Sequence, residues 1–157
     1  MNEHLVAALA ERLRARGWRL ATAESCTGGL LAAACTSVAG SSDWFERGVV
    51  TYSNEAKVEL LGVDAALIAR HGAVSEEVAR AMATGLLQRA PVQLVAAVTG
   101  IAGPGGAVPG KPVGTVWLAL ATPQAVHAER LQLDGGRAAV RGQTVSLTLQ
   151  RLVDEAG

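Results

Sequence analysis

The chain has 157 residues, with 14 basic and 14 acidic side chains and a formal net charge of zero. Half of it is hydrophobic (50%) while only 3% is aromatic, so the sequence predicts a core of Ala, Val and Leu in one domain spanning 1–157. This composition excludes a disordered chain, and its neutrality argues against a surface that binds nucleic acid through phosphates.

Residues 5–13 carry Leu5, Val6, Leu9 and Leu13 at helical spacing, with Gly17 as a stop. Trp18 to Ala23 reads as a strand, followed by the tight loop 24–29 and an apolar helix from Leu30 to Val38. Gly48 to Tyr52 is a second strand, and a helix runs from Asn54 to about Gly62. A short helix over 63–71 precedes a longer one capped by Ser75. Gln93 to Val98 is a continuous apolar run, as expected of a strand buried on both faces. Residues 115–121 and 126–133 form two strands whose short link implies an antiparallel pair, and a last helix covers about 137–153. The predicted fold class is α/β: three layers, a mostly parallel mixed sheet and an antiparallel edge hairpin. Ligands of such sheets sit at the carboxyl ends of strands, where the polar loops 24–29, 52–57 and 99–106 fall.

No apolar run reaches the roughly 18 residues of a membrane helix, and none resembles a secretory leader, so a cytoplasmic protein with reduced thiols is expected. Cys26 and Cys35 have no zinc spacing, and His4, His71 and His127 are scattered, so no metal is expected. Gly105 to Lys111 fits the phosphate-loop pattern, but Pro112 stands where a hydroxyl would bind magnesium, and with Pro109 it opposes a following helix. The loop is then either a cradle for a small anion or a plain connection.

Ser25 lies between a strand and a helix, where a hydroxyl is exposed and free N–H groups converge, as acyl transfer requires. The bland alternative is a helix cap, with Thr27 in that role. No histidine sits where it could activate a serine. Lys57 can do so if burial or nearby positive charge keeps it neutral, with Tyr52 relaying the proton or orienting the hydroxyl. Otherwise Lys57 is a solvated lysine on a helix face. Cys26 is a rival nucleophile or an inward-packed thiol. Arg137 and Arg141, four apart, form either an anion clamp or an exposed basic face.

Seven blocks occur in order: Ala23-Glu24-Ser25-Cys26-Thr27-Gly28-Gly29, Gly40-Ser41-Ser42, Tyr52-Ser53-Asn54 with Lys57, Leu61-Gly62-Val63, Gly72-Ala73-Val74-Ser75, Thr99-Gly100-Ile101-Ala102-Gly103-Pro104, and Lys111-Pro112-Val113-Gly114. Together they resemble the C-terminal domain of the CinA family, over about Leu5 to Leu152. The resemblance implies hydrolysis of the carboxamide of nicotinamide mononucleotide to nicotinic acid mononucleotide and ammonia, in pyridine nucleotide recycling and without a cofactor. It implies Ser25 as nucleophile with Lys57 and Tyr52 as activating partners. The 26–29 turn, with Thr27, Gly28 and Gly29, is assigned as the oxyanion site. Thr99, Gly100 and Gly103 match the substrate-contacting segment, and Arg141 with Arg137 the anion-binding position.

The family resemblance further implies a homodimer or larger assembly, while the balanced charge predicts no direct nucleic-acid binding and the lack of a long apolar run no membrane association. Full-length relatives carry an additional N-terminal nucleotide-processing domain, so only the amidase activity is expected here. Gly136 stands where the family has Asp before the arginine, which bears on how Arg137 is held. A catalytically silent ligand- or partner-binding protein is the alternative from another class.

Overall fold

Side chains of alternate parity on the central strands face opposite helical layers, and this parity organises the molecule. The structure, a computed structural model, describes residues 1–157. Its elements are α1 (Glu3–Arg16), β1 (Leu20–Glu24), α2 (Leu30–Cys35), β2 (Phe45–Val50), α3 (Asn54–Leu61), α4 (Ala65–His71), α5 (Glu76–Arg89), β3 (Leu94–Gly100), β4 (Thr115–Ala121), β5 (Val126–Gln132) and α6 (Arg137–Ala156).

The sheet order is β2-β1-β3-β4-β5. β1 lies parallel to both β2 and β3, whereas β3–β4 and β4–β5 are antiparallel, so β4 alone opposes the other four strands. On one face Leu20, Leu94, Ala96, Val98, Leu118 and Leu120 pack against Val6, Leu9 and Leu13 of α1, Leu31 of α2 and Leu149 and Leu152 of α6. On the other, Ala21, Ala23, Val95, Ala97, Ala119 and Ala121 meet Val78, Met82 and Leu86 of α5 and Leu61 of α3. The alanines on this second face keep α5 close to the strands, which is how a core with few aromatic residues reaches interior packing.

Several boundaries differ from the sequence reading, among them those of β1, α2, β2 and α6, and β3 runs on through Thr99 to Gly100. β1 starts at Leu20 because Trp18 still belongs to the end of α1, its N donating to Leu13 O at 2.9 Å, while its half-buried ring packs on the core with the Arg16 guanidinium 4.4 Å from its centre. α2 stops at Cys35, after which the Thr36 hydroxyl donates back to Ala32 O at 2.9 Å. β2 occupies Phe45–Val50 rather than Gly48–Tyr52. As an edge strand it tolerates the polar pair Glu46 and Arg47, which hid its start in the hydropathy pattern. α6 continues past Val153 to Ala156, burying that residue against the α1 layer.

No helix is long and apolar enough to cross a membrane.

Candidate active site

β1 delivers Ser25 to the carboxyl edge of the sheet between its two parallel neighbours. Ser25 N donates to Val98 O at 3.0 Å, and Thr51 N donates to Glu24 O at 2.8 Å, so the loop after β1 is fixed by both flanking strands. The chain after β2 turns into α3 through the cap Ser53, whose hydroxyl accepts from Ala56 N. That cap sets the first turn of α3 over the end of β1.

Lys57 lies in that turn and reaches back inward. Its Nζ donates to Thr51 O at 2.8 Å and to Ser25 Oγ at 3.1 Å, with only 1% of the residue exposed. The solvated reading of Lys57 is therefore overturned. Burial pushes the Lys57 ammonium below its ordinary 10.5, since desolvation penalises the charged form. Its two partners are neutral oxygens, so no carboxylate restores that charge. A neutral amine can accept the proton of the hydroxyl it faces.

A cleft of about 280 Å³ opens beside Ser25, lined also by Cys26, Tyr52, Ala73, Val74, Thr99, the stretch from Gly100 to Gly103, Gly105, Gly106 and Arg137. Thr99 donates its hydroxyl to Ala73 O at 2.9 Å, joining the end of β3 to the loop before α5. Gly100 permits close packing: a Cβ there would sit 2.6 Å from Val116 Cγ2 and 3.2 Å from Cys26 Sγ. Gly103 contributes its carbonyl, which accepts from Arg137 Nη1 at 2.9 Å.

Tyr52, 61% exposed, accepts at its hydroxyl from Arg137 Nη2 at 3.0 Å. It stands at the mouth of the cleft and makes no hydrogen bond to Ser25 or Lys57. Burial drives the Cys26 thiol up to about 11, so the neighbouring sulfur is held protonated and is a poor rival nucleophile.

The turn itself is built differently from the expected Thr27 cap. The N-cap of α2 is Gly29, without a side-chain cap bond, and Gly28 and Gly29 take φ of 58° and 109°, the region glycine reaches without strain. Thr27 instead donates its hydroxyl to Glu24 Oε1 at 2.5 Å. The same carboxylate accepts from Leu31 N at 2.9 Å and Ala32 N at 3.0 Å. Glu24 was absent from the candidates read in the sequence because two of its three partners, the amides of Leu31 and Ala32, lie seven and eight residues on, outside any local capping pattern.

Arg141 does not line the cleft. Its Nε donates to Cys26 O at 3.0 Å and its Nη2 to Thr27 O at 3.3 Å, so it grips the backbone of the turn. Of the two arginines, Arg137 faces the cleft. The amide of Gly28 is taken by Ser25 O at 3.1 Å, whereas those of Cys26 and Thr27 donate to no backbone carbonyl. No group of three or more His, Cys, Asp or Glu side chains is placed to hold a metal.

These features define an α/β protein with a buried serine–lysine pair at the carboxyl edge of a mixed sheet. The CinA C-terminal domain model matches residues 2–156, and the chain belongs to that family. It is 50% identical over 144 residues to a nicotinamide-nucleotide amidohydrolase PncC of Enterobacter agglomerans, covering 91% of this chain and 88% of that protein. It is also 50% identical over 143 residues to the protein of the same name from Escherichia coli K12, with 90% and 87% covered. A CinA-like protein of Syntrophobacter fumaroxidans is 48% identical across 98% of this chain, which spans only 37% of that longer relative. Among solved structures, a CinA superfamily protein of Klebsiella pneumoniae superposes with a TM-score of 0.95 at 41% identity, covering 99% of this chain and 98% of that one.

Proposed function

We propose that the protein is an amidohydrolase of nicotinamide mononucleotide that works through an acyl-enzyme on Ser25. The observation that carries the reading is the contact between Lys57 Nζ and Ser25 Oγ at 3.1 Å, made by a lysine that burial drives toward its neutral form. The names of the relatives supply the substrate class.

As the Ser25 oxygen attacks the carboxamide carbon, Lys57 takes the hydroxyl proton. The oxyanion forms against the amides of Cys26 and Thr27, and Lys57 returns the proton to the leaving nitrogen as ammonia departs. Water, deprotonated by Lys57, then attacks the Ser25 ester and releases nicotinic acid mononucleotide. Arg137 and the Gly100–Gly106 loop take the phosphate end, while Tyr52 helps to position Arg137 at the mouth of the cleft. In this reading residues 1–157 form one catalytic domain that needs no cofactor.

Ammonia release from nicotinamide mononucleotide tests the proposal, with free nicotinamide as control. The wild type should release it, and Ser25→Ala should lose at least ~10³-fold in kcat. Normal deamidation by folded Ser25→Ala would overturn the serine mechanism. A folded wild type that binds the nucleotide without releasing ammonia would overturn the enzyme reading in favour of a binding protein.

A further inference from the structure

We infer that Glu24 is a positioning residue of the reaction, holding Ser25 in its attacking position through the turn and helix that follow; this rests on the amidohydrolase reading above. Glu24 is the last residue of β1, and it is 1% exposed. Its carboxylate reaches forward to Thr27, Leu31 and Ala32, closing a loop that contains Ser25 and the 26–29 turn.

Three physical points separate this from an incidental buried acid. First, α2 is only six residues long and its N-cap Gly29 offers no side-chain acceptor. So short a helix does not persist on its own propensity, and its first-turn amides need acceptors. Second, the carboxylate meets donors only: one hydroxyl and two backbone N–H groups. Both its oxygens accept, a pattern that a carboxylate satisfies and a carboxamide does not, since one end of Gln would turn an NH₂ toward a donor. Third, Arg141 grips the same turn through the carbonyls of Cys26 and Thr27. The nucleophile is held between an acceptor tied to α2 and a donor tied to α6, which fixes it more tightly than β1 alone would.

Glu24 does not line the cleft, so it acts on the reacting atom's placement and not on substrate binding. The effect should appear in kcat, with KM unmoved. A misplacement near 1 Å costs on the order of 100-fold, and Glu24→Gln keeps part of the network. Its kcat on nicotinamide mononucleotide should therefore fall about 10–100-fold, with KM close to that of the wild type.

The measurement is kcat per competent molecule, with competent sites counted by stoichiometric labelling of Ser25 with a fluorophosphonate and folding followed by circular dichroism. The labelling rate should fall in step with kcat. Thr27→Val, which removes one donor at nearly constant volume, should lower kcat by a smaller factor in the same direction, and it decides the matter if Glu24→Gln fails to fold. Wild-type kcat per competent site in these variants, or a loss wholly explained by the unfolded fraction, would overturn the inference. Ser25→Ala in the same assay separates the two levels. If it is inactive while Glu24→Gln is normal, only the role of Glu24 falls; if it is active, the serine mechanism falls with it.

Discussion

Lys57 concentrates two consequences of burial in one atom. The amine that faces Ser25 works only when neutral, and burial moves its titration down from 10.5. Amidase activity should therefore rise with pH through an apparent value below 10.5 and level off above it, because deprotonation creates the base. The same shift makes a stability prediction. Between the lowered folded value and 10.5 the unfolded chain holds more protons than the folded one, so folding grows more favourable as pH rises through that window and is least favoured below it. Lys57→Met carries no such penalty. It should lose about 10²–10⁴-fold in kcat. In urea titrations its stability relative to wild type should be highest at neutral pH and decline toward pH 10.5. A pH-independent difference would show that the Lys57 titration is not shifted by folding. Ser25 and Lys57 could be named as candidates in the sequence because each follows a strand closely, Ser25 in the turn after β1 and Lys57 in the first turn of α3, but their pairing came from the family resemblance. Glu24 could not be named: one carboxylate bonded across eight residues leaves no periodic trace.

The helices show which starts the sequence announces and which it leaves unmarked. Ser75 was readable as the cap of α5, and its hydroxyl accepts from Val78 N at 3.3 Å while donating to Gly72 O at 2.8 Å. α6 is preceded at its N-cap by Gly136, which has no side chain to cap it and lies in an extended conformation (φ −76°) with open space where a Cβ would project. The two ends should respond oppositely to substitution. Ser75→Ala should cost about 1 kcal/mol, the usual worth of such a cap. Gly136→Asp should gain about 0.5–1 kcal/mol, from an acceptor for the first-turn amides, a charge matched to the helix dipole and a less flexible unfolded chain. Chemical denaturation at fixed pH would check both, and a Gly136→Asp variant no more stable than wild type would refute the second. Strands followed the same logic. β3 and β4 were legible as apolar runs because they are central, whereas the start of the edge strand β2 was masked by Glu46 and Arg47.

Across the molecule, the site stands where the two helical layers meet at one end of the sheet. α3 supplies Lys57 from one layer, while α2 and α6 brace the serine turn from the other. With a net charge of zero there is little long-range field to draw in a phosphate, so recognition must be local. The arginines of α6 are one turn apart and indistinguishable in sequence, yet the fold sends Arg137 to the cleft and Arg141 to the backbone of the turn. That divergence could not be read from an i, i+4 spacing, which places two side chains on one face without saying what each meets.

It predicts a split in kinetics. Losing a hydrogen bond to a charged group costs about 1.5–3 kcal/mol, or roughly 10–100-fold in an equilibrium constant. Arg137→Met should raise KM for nicotinamide mononucleotide by such a factor, and it should leave KM for nicotinamide riboside, which lacks the phosphate, nearly unchanged. Arg141→Met should instead lower kcat on both substrates, because the turn carrying Ser25 loses its brace. Equal effects of the two substitutions on KM for the phosphorylated substrate would show that both arginines reach the anion, and that the turn is held by β1 and Glu24 without Arg141.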